Sequence, residues 1–172
     1  PGKRSSNWIK LKRQERGELA DTIDCVILGY YRGAGKRTQL GIGAFLVGIF
    51  NKKEDRFETI ARIGTGLTDE EWRQLRIQCD EKRVAHQPHN VACPESLFPD
   101  VWVAPEVVCS VRADDITRSP MHMAGRTAST AGYALRFPRI MGYRPDKDAT
   151  QATDVQEIET LFQFLHTWVG EC

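Results

Sequence analysis

The stretch ALRFPRIMGYRPDK, Ala134 to Lys147, places Arg136, Arg139, Arg144 and Lys147 close together with only Asp146 to balance them. A solvated face normally mixes both signs, so a one-sided cluster of this kind is suited to meet an anion. Phe137 stands among these cations and just before Pro138, where a strand should end. A core phenylalanine is its ordinary reading. An apolar side chain between cations is also a means of pressing into a minor groove. Two further segments carry related chemistry. NWIKLKR (7–13) sets Lys10 and Lys12 on one side of an extended chain, where a phosphate or plain solvent can separate the two ammonium groups. RGAGKR (32–37) has Gly33 and Gly35 to let backbone amides approach a phosphate, with Arg32, Lys36 and Arg37 supplying charge; an exposed hairpin turn explains it as well. It is not a Walker A loop, because the GxxxxGK[ST] spacing is missing.

No nucleophile–base constellation accompanies these cations. His86, His89, His122 and His166 lie in dissimilar contexts, and the carboxylates form no evident catalytic pair. The five cysteines include no Cys-x-x-Cys spacing and no His pair to join them, so no metal site is expected. Cys25 and Cys109 sit in apolar runs and belong to the core, and the odd count fits free thiols in a reducing, intracellular compartment. The chain thus reads as able to hold phosphates and unable to perform chemistry alone. Its charge is distributed to match. The net value of +1 conceals +5 over residues 1–37, +4 over 112–147 and −5 over 148–172, which suggests a polyanion held by one face.

The elements that must position these residues are mainly strands. A chain of 172 residues suits one ordinary domain or a domain with a short appendage. The apolar run 24–31, the run 42–50 and the alternating segment 57–64 predict an antiparallel meander, with Phe57, Thr59, Ala61 and Ile63 on one face. Thr68 and Glu71 have capping-box spacing and predict a helix that turns Trp72 and Leu75 to the core. GTG (64–66) reads as the turn into it. Residues 79–100 read as irregular; 106–113 and 132–138 give a fourth and a fifth strand, joined by a long connection. Thr153 and Gln156 repeat the capping pattern before Val155, Ile158, Phe162, Leu165 and Val169 at helical spacing. The expected fold is therefore mainly β: a five-stranded OB-fold barrel with a helix after strand 3 and a C-terminal helix. A small SH3-like barrel gives a similar string, but the helix after the third strand favours the OB type. No apolar run approaches a membrane span, and PGKRSSNWIK contains no signal-peptide core. The start, without Met and dense in cations, suggests a piece of a longer chain.

Taken in order, NWIKLKR, DTIDCVILGYY with GKR, IARIGTGLTDEE and ALRFPRIMGYRPDKDAT resemble the C-terminal part of ATP-dependent DNA ligases of the larger archaeal, eukaryotic and related bacterial type. The likeness covers nearly the whole chain and is weakest over 79–98. It implies that WIKLK is nucleotidyltransferase motif V, with Lys10 and Lys12 on the nucleotide phosphate. Residues 1–13 would then end the adenylation domain, 14–22 form a hinge, 23–147 the OB-fold DNA-binding domain and 148–172 an acidic C-terminal helix. RFPRIMGYRPDK resembles motif VI, which implies that Arg136, Arg144, Asp146 and Lys147 help orient the triphosphate during adenylation. Phe137 matches an aromatic that enters the minor groove beside the nick, and Arg32, Lys36, Arg37 and Arg139 are assigned to DNA. The implied cofactors are ATP, as AMP donor, and Mg2+. The implied partners are nicked duplex DNA and the adenylation domain of the same chain, in a monomer with no membrane role. Two departures stand out: Gln14 and Glu15 replace a hinge Asp-Tyr, and Ala34 replaces a frequent basic-loop Arg. The family's KxDG lysine motif is not in this sequence, so the chain by itself is expected to be inactive. The OB domain of an mRNA capping guanylyltransferase and a free-standing nucleic-acid-binding module are the alternatives.

Overall fold

In the computed structural model, residues 22–33 and 43–170 are described. The expected meander is present as β1 (Ile23–Tyr31), β2 (Ala44–Asn51) and β3 (Arg56–Ile63). Helix α1 (Asp69–Glu81) follows with the anticipated capping box: the Glu71 amide donates to Thr68 Oγ1 at 3.2 Å, and the Thr68 amide donates to Glu71 Oε1 at 3.1 Å. Trp72 and Leu75 are buried as expected, and Trp72 packs on Phe45 with ring centroids 4.9 Å apart.

The segment expected to be irregular carries short elements: β4 (Arg83–Val84), β5 (Val91–Ala92), a 3-10 turn (Glu95–Leu97) and β6 (Val101–Val103). Strands of two or three residues have no readable period. The fourth and fifth expected strands are β7 (Val108–Arg112) and β9 (Gly132–Arg136). Two more flank them, β8 (Asp115–Ser119) and β10 (Arg139–Tyr143), so the described residues alone hold ten strands, several of them two or three residues long, where five were anticipated. The main sheet runs β10-β7-β1-β2-β3-β5, with β6 also pairing β1, while β8 and β9 form a separate ribbon.

This sheet curls in the manner of an OB fold. The Ile140 amide of the edge strand β10 donates to Thr65 O at 3.0 Å, just past β3. The GTG stretch is therefore more than a turn into α1: it ties the far end of the sheet back to its start. Gly66 allows this approach. Its φ is +119°, and a Cβ there would collide with the Ile140 carbonyl and amide. The curl is assisted by single-residue bulges at Leu28, Ile60 and Met141, each skipped in the pairing register. The bulge at Ile60 overturns the expectation that Phe57 shares a face with Ala61 and Ile63. Those two join the main core with Ile60, whereas Phe57 lies in a second cluster with Leu28, Leu46 and Val108.

The C-terminal helix α2 spans Val155–Gly170. Its cap lies one residue later than anticipated. Asp154 Oδ1 accepts from the Glu157 amide at 2.8 Å, while Thr153 Oγ1 is taken by the Asp24 amide at 3.0 Å. Ile158 and Leu165 reach the core, and Phe162 meets Tyr133 with centroids 5.2 Å apart.

Candidate functional site

The cations of ALRFPRIMGYRPDK are sorted by β10 into two groups. Five residues of strand carry the chain roughly 16 Å, so Arg136, Phe137 and Arg139 stand at one end and Arg144, Asp146 and Lys147 beyond the other. The second group is compact. Arg144 donates its amide to Val108 O at 2.8 Å, which fixes the turn after β10. Its guanidinium forks onto Asp146, Nε to Oδ1 at 3.1 Å and Nη2 to Oδ2 at 3.0 Å. This fork holds the Asp146 carboxyl below its ordinary value and raises the guanidinium above its own.

A residue that sequence reasoning passed over completes the group. Asp24, near the start of β1, accepts from Lys147 Nζ at 2.5 Å and from Arg144 Nη1 at 3.4 Å. Ser110 Oγ on the neighbouring strand β7 stands 3.4 Å from both Asp24 Oδ1 and Arg144 Nη1. Asp146 is thus not the sole balance; two carboxylates face two cations. The available signal was an aspartate opening an otherwise apolar strand, Asp24 in DCVILGYY. Arg144 and Lys147 keep about a third of their side-chain surface open to solvent, against 14% for Asp24.

The first group is built differently. β9 ends at Arg136, and Phe137 then takes a left-handed φ of +51° with Pro138 after it. Such a φ costs a non-glycine residue about 1–2 kcal/mol. The result is an aromatic ring turned outward: Phe137 is 63% exposed, so the core reading does not hold. The Arg136 guanidinium lies 5.1 Å from the ring centroid. Arg139 Nη1 pairs with Asp114 Oδ1 at 3.0 Å and donates to Phe137 O at 3.1 Å, bracing the turn. Met141 and Tyr143 continue the exposed apolar surface along β10.

Arg32 follows β1 at the end away from Asp24, with its amide on Asp100 Oδ2 at 2.7 Å. Lys10, Lys12, Lys36 and Arg37 lie outside the described residues, as do residues 1–21 of the proposed adenylation strand and hinge. Arg62, not singled out from sequence, stacks over Tyr31 at 4.1 Å. A cleft of about 470 Å³ opens between the start of β1 and α2, lined by Thr22, Thr153, Asp154 and Glu157 among others, with no cation among the described residues of its wall. It is a poor match for a phosphate. Among the described residues no three His, Cys, Asp or Glu side chains gather to hold a metal ion. Cys25 and Cys109 are core residues, and burial pushes the Cys109 thiol up to about 12. No described helix is long and apolar enough to cross a membrane.

Comparison with known proteins adds the following. A family model described as ATP dependent DNA ligase C terminal region matches residues 38–147. A probable DNA ligase of Dictyoglomus thermophilum is 54% identical over 164 residues, 94% of this chain and 28% of that protein. DNA ligase 1 of Methanosarcina acetivorans is 38% identical over 160 residues, 93% of this chain and 27% of its own. The chain therefore spans little more than a quarter of the length of these relatives. Among solved structures, the ligase domain from M. tuberculosis LigD matches with a TM-score of 0.57 at 26% identity, over 77% of this chain and 38% of that one. A mycobacterial DNA ligase D complexed with ATP and MES matches with a TM-score of 0.55 at 26% identity, over 78% of this chain and 38% of its own.

Proposed function

The chain belongs to the ATP dependent DNA ligase C terminal region family, and on that premise we propose that it binds duplex DNA around a nick and assists lysine adenylation and sealing in the ligase that contains it. The observation that carries this reading is the sorting of cations along β10. Arg144 and Lys147, one third open, form an anion-facing pair. Arg136 and Arg139 flank an outward Phe137 at the other end. One motif thereby offers two surfaces, one for a triphosphate and one for a groove.

In the proposed cycle a lysine of the adenylation domain attacks the α-phosphorus of ATP, forming a lysyl–AMP bond and releasing pyrophosphate. AMP then passes to a 5′-phosphate, and the 3′-hydroxyl displaces it to close the nick. Nucleotidyl transfer of this kind depends on position and charge neutralisation more than on side-chain acid–base work. Arg144 and Lys147 supply that charge at the departing pyrophosphate, and Asp146 orients Arg144. Lys10 and Lys12 are assigned to the nucleotide phosphate, and Arg32, Lys36, Arg37 and Arg139 to the DNA backbone. Arg136, which the family resemblance assigns to the triphosphate, stands beside Phe137 a strand away from Arg144 and Lys147, and on that ground it is proposed for the DNA instead. Phe137 presses apolar surface into the minor groove. The mycobacterial neighbour complexed with ATP supports ATP as the nucleotide. Mg2+ is proposed to enter with the triphosphate, and no described residue is assigned to hold it. The domain is proposed to work joined to its adenylation domain in a monomer inside the cell.

Binding of the chain to nicked duplex DNA at increasing salt tests the DNA half of this reading. Affinity is expected to be independent of sequence and to fall with a log–log slope near −0.9 per neutralised phosphate. Lys36→Ala with Arg37→Ala is expected to flatten that slope by roughly two such units. A salt-insensitive affinity, or strong preference for one sequence, refutes it.

A further inference from the structure

Among the described residues the carboxylate of Asp24 is the one group on which both Arg144 and Lys147 rest their side chains. We propose that Asp24 is a positioning residue for adenylation: it holds Arg144 and Lys147 side by side as a two-cation platform for the phosphate chain. The proposal rests on the reading above that these cations orient the triphosphate.

Asp24 itself is immobilised from both sides. β1 is an interior strand, paired to β2 and β7, and Asp24 faces Ser110 in register. Its amide donates to Thr153 Oγ1 at 3.0 Å, and its carbonyl accepts from the Thr153 amide at 2.9 Å. The cations by contrast lie on the run between β10 and the 3-10 turn Ala149–Gln151, outside the sheet. Lys147 pairs with no other carboxylate among the described residues. A lysine on such a run would otherwise sample many rotamers, and fixing it when ligand arrives would cost entropy at that moment. Asp24 imposes that order beforehand. It also lets two like charges sit close, because each oxygen takes one: Oδ2 takes Lys147 and Oδ1 takes Arg144.

The platform keeps donors for a ligand. An ammonium has three N–H donors and a guanidinium five, so these contacts leave donors over on both cations. Charge counting alone argues in the other direction. Two carboxylates cancel the two cations, so loss of Asp24 should draw a triphosphate more strongly. The positioning role predicts that the rate falls in spite of this, which makes the sign of the effect decisive.

The test uses the full ligase carrying this chain, with transfer of AMP from ATP to the protein followed in a single turnover. For Asp24→Asn the rate at saturating ATP is expected to fall about tenfold or more, with the half-saturating ATP concentration unchanged within about twofold. Asp24→Glu restores a part of the rate. Asp24→Asn added to Lys147→Ala slows the enzyme less than it does alone, because Asp24 acts in part through Lys147. A wild-type rate for Asp24→Asn, or tighter ATP with faster transfer, overturns the proposal while Arg144→Ala and Lys147→Ala remain slow. If those two variants also run at wild-type speed, the reading of the cation pair falls and this proposal falls with it. Should Asp24→Asn fail to fold, Asp24→Ser carries the test, and a wild-type rate for it is overturning.

Discussion

Replacing Phe137 by alanine separates an aromatic that serves a ligand from one that serves the core. Complete burial of a phenylalanine side chain is worth roughly 1.5–3 kcal/mol, and Phe→Ala in a core costs about 3–5 kcal/mol once the cavity is included. Phe137 is 63% exposed, so little more than a third of it is covered and no enclosed cavity is left behind. The truncation is then expected to cost about 0.5–1 kcal/mol. For a chain of this size each kcal/mol moves the melting temperature by roughly 2–4 °C, which gives a fall of about 1–4 °C against ~6–20 °C for a core residue. The left-handed φ of +51° adds a second handle. Phe137→Gly relieves backbone strain of about 1–2 kcal/mol and is expected to melt no lower than the alanine variant. Thermal unfolding followed by circular dichroism supplies these numbers, and sealing of a nicked duplex by the full enzyme supplies the function. Self-adenylation should stay near wild type while sealing slows, because the ring carries no charge for a triphosphate. A melting fall beyond ~6 °C with adenylation and sealing lost together would show that the ring holds the barrel. Unchanged sealing would remove it from the DNA surface.

Two other perturbations probe the frame. Gly66→Ala places a Cβ against the Ile140 backbone at a φ of +119°, so it should cost about 3 kcal/mol or more and lower the melting temperature, with the Ile140 amide losing its protection from hydrogen exchange. Burial pushes the pKa of His122 from its usual 6.5 down to about 4, and its Nδ1 is buried without a hydrogen-bond partner among the described residues. Between those two values the unfolded chain takes up a proton that the folded chain refuses, so stability falls as the pH drops through that window. Urea midpoints at pH 7 and pH 5 should differ less for His122→Gln than for wild type; an equal difference would show that another group controls the slope.

What was legible in the sequence was what is encoded within a few residues. β1, β2 and β3 follow from apolar runs, and α1 from Thr68 and Glu71, because period and cap are local signals. The helix α2 was legible as a helix and misplaced at its cap, since Thr153 and Asp154 are both competent caps and tertiary pairing decided between them. β10 escaped notice for a physical reason. Its alternation is broken by the bulge at Met141 and by Gly142, and it is a sheet edge with few buried positions. Missing that strand hid its consequence. Without it, the basic stretch is a single cluster; with it, the cluster is two groups a strand apart.

Asp24 marks the other boundary of what sequence can show. Its contacts with Arg144 and Lys147 span 120 and 123 residues of chain, so no local pattern reports them. What reports them is topology. β1 must lie beside β7, and β7 beside β10, before a carboxylate at the start of the first strand can meet cations that follow the last. The charge asymmetry along the chain counts Asp24 among the acids of the N-terminal segment and Arg144 among the cations of another. The fold places them on opposite sides of one ion pair. A charge inventory finds where cations are dense, and only the sheet order separates those already held by carboxylates, such as Arg144 and Lys147, from one like Arg136, whose guanidinium among the described residues meets only an aromatic ring.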